Sequence, residues 1–167
     1  DEYLDCMAAL WDTDPTTFHG RWVDFEDMRQ RPKPLQDPLP IWIGGQSPAA
    51  IRRAAVRGNG WLPNCEGRNS FAKSVASYRE ACERAGRSPA DVQLIAVSKG
   101  QPAEAVEAAV QAGLTVFGES KVQEAKQKIP LCSGALTWHM IGHLQSNKCR
   151  DAVQLFALIQ SVDSLHL

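Results

Sequence analysis

From Leu35 onward the chain repeats one pattern: a short apolar run, a turn residue, then apolar positions at helical spacing. Ile41-Trp42-Ile43, Gly60-Trp61-Leu62-Pro63, Val92 to Val97, Thr115 to Gly118, Trp138 to Gly142 and Phe156 to Ile159 read as strands. The first intervening helix, Ala49 to Val56, has Ser47 and Pro48 as N-cap and first helical position, and Gly58 closes it. The next runs from Phe71 to Ala85 and stops at Gly86; another spans Pro102 to Ala112 and stops at Gly113. Lys121 to Lys128 is halted by Pro130, and a short helix lies near Asn147 to Gln154. About six strand–helix units predict an α/β fold with a parallel sheet. Residues before Leu35 differ. They predict a helix near Glu2 to Trp11, then an irregular, Asp- and aromatic-rich excursion ending at the loop marker Arg31-Pro32-Lys33-Pro34.

Bulk properties narrow the functional classes. A length of 167 residues suits one core, or one domain with an appendage. With 18 basic and 19 acidic residues the net charge is −1, so no field gathers nucleic acid or an anionic membrane surface. No apolar stretch has the length that crosses a bilayer. Five cysteines, odd in number and irregularly spaced, point to a reducing, cytoplasmic setting. The opening Asp1-Glu2-Tyr3-Leu4-Asp5 has no signal-peptide layout and begins as if inside a helix, so a fragment or processed chain is expected.

The candidate chemistry centres on Lys99, at the C-terminal end of the apolar Val92 to Val97 run. Parallel α/β folds keep their reacting groups at that end of their strands. A lysine amine partly desolvated there is a nucleophile for carbonyls; the alternative is a packed stem with its ammonium in water. The turn Ile43-Gly44-Gly45-Gln46-Ser47 has two readings as well: an anion site at a helix N-terminus, or a tight strand-to-helix connection alone. Cys132, His139, His143 and Cys149 superficially suggest zinc, but on an extended strand His139 and His143 are about 13 Å apart. No metal is expected, and both cysteines read as packing residues. Glu119 and Glu124 read as helix-start or surface groups, Asp24, Glu26 and Asp27 as an exposed acidic stretch, and the five tryptophans as core or rim packing.

Two resemblances share the chain. The strings LIAVSK at 94–99, FGESKVQEAKQKIP at 117–130, WHMIGHLQSNK at 138–148 and LIQSVDSLHL at 158–167 occur in order and resemble the N-terminal half of the pyridoxal-phosphate homeostasis proteins. That family is similar to the alanine racemase N-terminal barrel, of TIM-barrel type. The resemblance, covering about residues 78–167, implies pyridoxal 5′-phosphate held as an imine on Lys99, with Ser120, His139 and Ser161 on strand ends nearby. Gly100-Gln101 and Ser120-Lys121 stand where the family usually has Thr-Lys and Asn-Tyr. Residues 18–64, FHGRWVDFEDMRQRPKPLQDPLPIWIGGQSPAAIRRAAVRGNGWLPN, resemble instead the C-terminal part of luciferase-like monooxygenases, barrels that use a flavin or the deazaflavin F420.

The expected organisation is therefore a luciferase-like segment over residues 1–77 and a homeostasis-type half-barrel over 78–167, forming one continuous structural domain. Its sheet falls short of the eight strands of a closed barrel, so it stays open or a second copy completes it. By resemblance the leading function is a pyridoxal-phosphate-binding protein with little or no turnover. Gly44, Gly45 and Ser47 would cradle the phosphate. The alternatives are a fragment of a flavin- or F420-dependent monooxygenase, and a non-catalytic or engineered chimera of two barrels. The earlier strands that such a monooxygenase uses are not represented, so flavin chemistry by this polypeptide alone is not expected. The partner in either case is a small-molecule cofactor.

Overall fold

Each of the six apolar runs forms a strand, and together they make one kind of connection. The computed structural model describes residues 1–64 and 68–167, which divide into two compact units, Asp1–Pro40 and Ile41–Leu167. In the second unit β3 (Trp42–Gly44) pairs in parallel with β4 (Gly60–Leu62), and β4 with β5 (Gln93–Leu94). The strand β6 (Ala96–Val97) continues β5 after Ile95 and pairs with β7 (Val116–Glu119). β7 pairs with β8 (Thr137–Met140), and β8 with β9 (Leu158–Ile159).

Ile95 donates its N–H to the Trp61 carbonyl at 3.0 Å and Val97 to that of Pro63 at 2.9 Å, while Ser98 donates to Gly118 at 3.0 Å on the other side. Residues 93–98 thus join both sheets into six parallel strands in chain order. The connections run through α2 (Pro48–Arg57), α3 (Arg68–Arg84), α4 (Ala103–Gln111), α5 (Val122–Lys128) and α6 (Cys149–Leu155). This is a parallel (β/α) sheet of the TIM-barrel type. Among the described residues β3 and β9 have one neighbour each, so the barrel is not closed.

Local chemistry sets the helix ends. Ser47 caps α2, its Oγ accepting the Ala50 N–H at 3.2 Å, and Gly58 donates back to Arg53 and Ala54. Gly86 and Gly113 take φ of +66° and +87° just beyond α3 and α4, where a side chain would be strained.

Strand alternation sorts the two faces of the sheet. Ala96, Phe117, Trp138 and Met140 pack with Val106, Val122, Ala125 and Ala152 beneath the helices. Ile95, Gly118, His139 and Ile141 fall on the opposite, inner face, and a Cβ on Gly118 would lie 2.9 Å from Ile141 Cδ1 and 3.2 Å from Ile95 Cγ2. Cys132 and Cys149 pack at the edge of the helix-side core.

The first unit corrects one expectation. After α1 (Glu2–Asp12) the segment expected to be irregular forms an antiparallel hairpin of β1 (Thr16–His19) and β2 (Asp24–Met28). Only Phe18 and Phe25, their rings 6.2 Å apart, give it an apolar stripe, which is too little to register as strand periodicity. What holds it is tertiary: Glu2 Oε1 accepts the Trp22 and Val23 N–H groups at 2.6 and 2.8 Å, tying α1 to the hairpin turn. Those bonds hold the Glu2 carboxyl below its ordinary value. Trp22 is exposed beneath the Arg21 guanidinium rather than packed in a core. No described helix is long and apolar enough to cross a membrane.

Candidate functional site

At the C-terminal end of β6 the backbone makes a turn, with the Gln101 N–H bonded to the Ser98 carbonyl at 3.0 Å and Gly100 at φ +69°. Lys99 is therefore the second residue of a turn whose third must tolerate positive φ, the demand of a type II turn. Its side chain is exposed, and among the described residues its ammonium has no hydrogen-bond or ion-pair partner. The expected desolvation is not found. Alternation places Lys99 on the inner face, two residues beyond Val97.

The buried lysine is Lys128, on α5. Only 6% exposed, it donates to the Ser98 carbonyl at 2.8 Å, Glu119 Oε1 at 2.7 Å and Glu124 Oε1 at 2.8 Å. Burial works against its charge, but the two carboxylates outweigh that and raise its pKa. A charged ammonium with all three protons engaged is no nucleophile for a carbonyl. Glu119 ends β7 with no exposure; its Oε1 accepts from Lys128 and from Ser98 Oγ at 2.7 Å, while Oε2 is buried without a partner among the described residues. Burial pushes its carboxyl up, against the hydrogen bonds from Lys128 and Ser98.

Glu124, four residues before Lys128, also accepts the Gly100 N–H at 2.6 Å. Burial alone would raise its carboxyl, but the bonds from Lys128 and Gly100 bring it below its usual value. Glu124 does lie in the first turn of α5, as the sequence suggests, but Glu119 is a fully buried strand-end group rather than a surface or helix-start one. The i, i+4 spacing of Glu124 and Lys128 was the legible signal. What could not be read was that β7 delivers Glu119 to the same ammonium.

Of the other residues singled out in the sequence, two converge. Ser161 donates its hydroxyl to the Gly142 carbonyl, and a Cβ on Gly142 would lie 2.4 Å from the Ser120 carbonyl oxygen. Ser120 and Ser161 thus flank Gly142 beyond the ends of β7, β8 and β9. His139 is buried lower on β8, where burial lowers its pKa, and Gln160 Nε2 donates to its Nδ1 at 3.2 Å. The imidazole is accordingly neutral, its proton assigned to Nε2.

Gly44 ends β3, and Gly45 and Ser47 follow it; all three are exposed, two strand spacings or about 10 Å along the rim from the β6 strand. Gly45 holds φ +93°, its carbonyl accepts the Trp61 indole N–H at 2.8 Å, and a Cβ on Gly44 would meet open space. The Gln46 amide donates to the Asn64 carbonyl, and Asn64 bridges to Val97, which links the glycine turn to the Lys99 strand. His143 pairs with Asp163 at 2.8 Å on the exposed rim. Among the described residues no three His, Cys, Asp or Glu side chains gather as a metal would require.

A parallel sheet with its polar side chains gathered at the strand C-termini defines an α/β protein of the barrel type. Residues 1–137 match the family model described as luciferase-like monooxygenase, and the chain belongs to that family. The match extends well beyond the 18–64 segment that carries the resemblance in sequence. The second likeness stands beside it. The pyridoxal phosphate homeostasis protein of Pseudomonas aeruginosa is 48% identical over 99 residues, 59% of this chain and 43% of that protein. This chain thus spans less than half the length of that relative.

Among solved structures, PipY of Synechococcus elongatus with PLP bound is 50% identical, covering 52% of this chain and 42% of that one, with a TM-score of 0.45. The coenzyme F420-dependent tetrahydromethanopterin reductase of Methanopyrus kandleri is 17% identical, covers 95% and 55%, and has a TM-score of 0.51, a likeness of fold. The luciferase-like match and the homeostasis-protein match together exceed the chain, so they overlap rather than meet at a junction.

Proposed function

We propose that the second unit binds pyridoxal 5′-phosphate as an imine on Lys99, with little or no turnover of its own. The observation that carries this is Lys99 itself. In the segment resembling the homeostasis proteins, it presents an amine without a partner among the described residues, from a pinned turn at the reactive end of the sheet. The residues present suit the cofactor. Lys99 would hold it through its amine, which would condense with the aldehyde carbon while the carbonyl oxygen left as water. The phosphate is directed to the turn of Gly44, Gly45 and Ser47, where backbone lies open at the start of α2. Ser120, Ser161 and the neutral His139 border the ring side. When bound, the cofactor supplies the electrophilic carbonyl and an electron-withdrawing ring; Lys99 and the rim hold and orient it.

Family membership favours a second reading, in which the same glycine turn receives the phosphate of a flavin or of F420. Incubation with pyridoxal phosphate, flavin mononucleotide and F420 in turn, followed by gel filtration, separates the two. Pyridoxal phosphate should co-elute and develop an imine absorbance band that Lys99→Ala lacks. Retention of flavin or F420 alone, or an equal band in Lys99→Ala, would overturn the first reading. Pairing of an open edge strand with a second copy is the partner interaction this fold invites, and a monomeric mass by sedimentation equilibrium would exclude it.

A further inference from the structure

We infer that Glu124, Lys128 and Glu119 form a clamp that sets the position of the Lys99 turn, and so are positioning residues for the amine. This deepens the reading of Lys99 given above and rests on it. The turn is gripped on both sides of Lys99. The preceding carbonyl, of Ser98, takes the Lys128 ammonium at 2.8 Å, and the following N–H, of Gly100, goes to Glu124 Oε1 at 2.6 Å. Lys128 couples the two grips, since it also bonds that same Glu124 oxygen at 2.8 Å. Glu119 anchors Lys128 from the sheet at 2.7 Å and takes the Ser98 hydroxyl at the same distance, tying the turn's first residue by side chain as well as carbonyl. All of this lies beneath the sheet on the helix side, whereas alternation sends Lys99 to the inner face. The clamp therefore fixes the backbone from behind and leaves the amine clear.

Stability alone does not account for the arrangement. A buried ion cluster is often no better than an apolar replacement of the same volume. This one also leaves Glu119 Oε2 buried without a partner among the described residues, a cost that a purely structural solution would remove. Gly100 adds to the case. At φ +69° it is the residue type the turn demands; the Gln101–Ser98 bond closes the turn across it, and its own N–H is held by Glu124. Loss of that bond frees the peptide group next to Lys99, so the amine samples a wider arc and a carbonyl must be captured from more conformations.

The test uses the full chain with Glu124→Ala and Glu124→Gln, since Glu124 is partly exposed and its loss leaves the Lys128–Glu119 pair in place. Two readouts run together. Amide exchange at Gly100 reports the clamp with no cofactor present, and the imine band on titration with pyridoxal phosphate reports its consequence. Glu124→Ala should speed exchange at Gly100 by about tenfold or more and weaken imine formation by a comparable factor. Glu124→Gln, which keeps an acceptor oxygen, should recover part of both. Far-ultraviolet circular dichroism should stay that of the parent.

Unchanged exchange at Gly100 in Glu124→Ala would refute the clamp whatever the cofactor does. Faster exchange with an unaltered imine titration would refute its role in placing Lys99. Absence of any imine band in the parent protein is a different result: the proposed function then falls, and with it the role in placing the amine, while exchange at Gly100 still decides whether the clamp holds the turn.

Discussion

Replacing Lys128 by methionine removes the ammonium and keeps most of the stem, which makes it the sharpest probe of the buried cluster. Three hydrogen bonds of 2.7 to 2.8 Å disappear from a side chain only 6% exposed. Glu124 can turn to water. Glu119 has no exposure and keeps a single partner, the Ser98 hydroxyl. Removal of one member of a buried pair costs about 3–5 kcal/mol, because the remaining charge stays uncompensated.

With a urea dependence of about 1.5 kcal/mol per molar, the unfolding midpoint should fall by about 2–3 M with an unchanged slope. The loss should also depend on pH. Burial already raises the Glu119 carboxyl above its ordinary 4.5, and without Lys128 nothing opposes it beyond one hydroxyl. Folded Glu119 then binds a proton more readily than unfolded Glu119. Stability of the variant should therefore fall as pH rises from about 4.5 through the raised folded value, and the deficit against the parent should shrink in acid. Adding Glu119→Leu removes the stranded charge and should restore most of the lost stability. A Lys128→Met midpoint within about 0.5 M of the parent at neutral pH, or strictly additive costs in the double variant, would refute the reasoning.

Two further outcomes follow from single contacts. Gly60→Ala would set a Cβ 2.0 to 2.4 Å from the Trp42 ring, so the β3–β4 edge must shift; a loss of about 1–3 kcal/mol by thermal denaturation is expected, and full stability would mean the ring does not lie over Gly60. Glu124 has a folded-state pKa below 4.5, so its contribution is present above that value and is lost as pH falls through the lower folded one. Glu124→Gln should accordingly flatten the acid limb of the stability curve below about pH 4.5, and an unaltered limb would show that Glu124 stays tethered when protonated.

Much of the second unit is legible residue by residue because its signals are local. Ser47-Pro48 starts α2 through a hydroxyl three residues from the N–H it accepts, and Gly86 and Gly113 end helices by conformations open to glycine at little cost. Six apolar runs interleaved with helices admit few topologies beyond a parallel sheet in chain order. The same reasoning fails for the β1–β2 hairpin, where a glutamate twenty residues away supplies the bonds that sequence periodicity does not announce.

The site divides in the same way. Sequence determined that a lysine closes the central strand, that glycines turn the chain beyond β3, and that Ser120 and Ser161 follow strand ends. Which lysine is buried was decided only by the tertiary structure. Burial of an ammonium depends on acceptors brought from separate elements, here the Ser98 carbonyl, Glu119 of β7 and Glu124 of α5, and no short window of sequence contains all three. Periodicity reports which face a residue takes; the charge environment on that face is set by the neighbours that folding delivers.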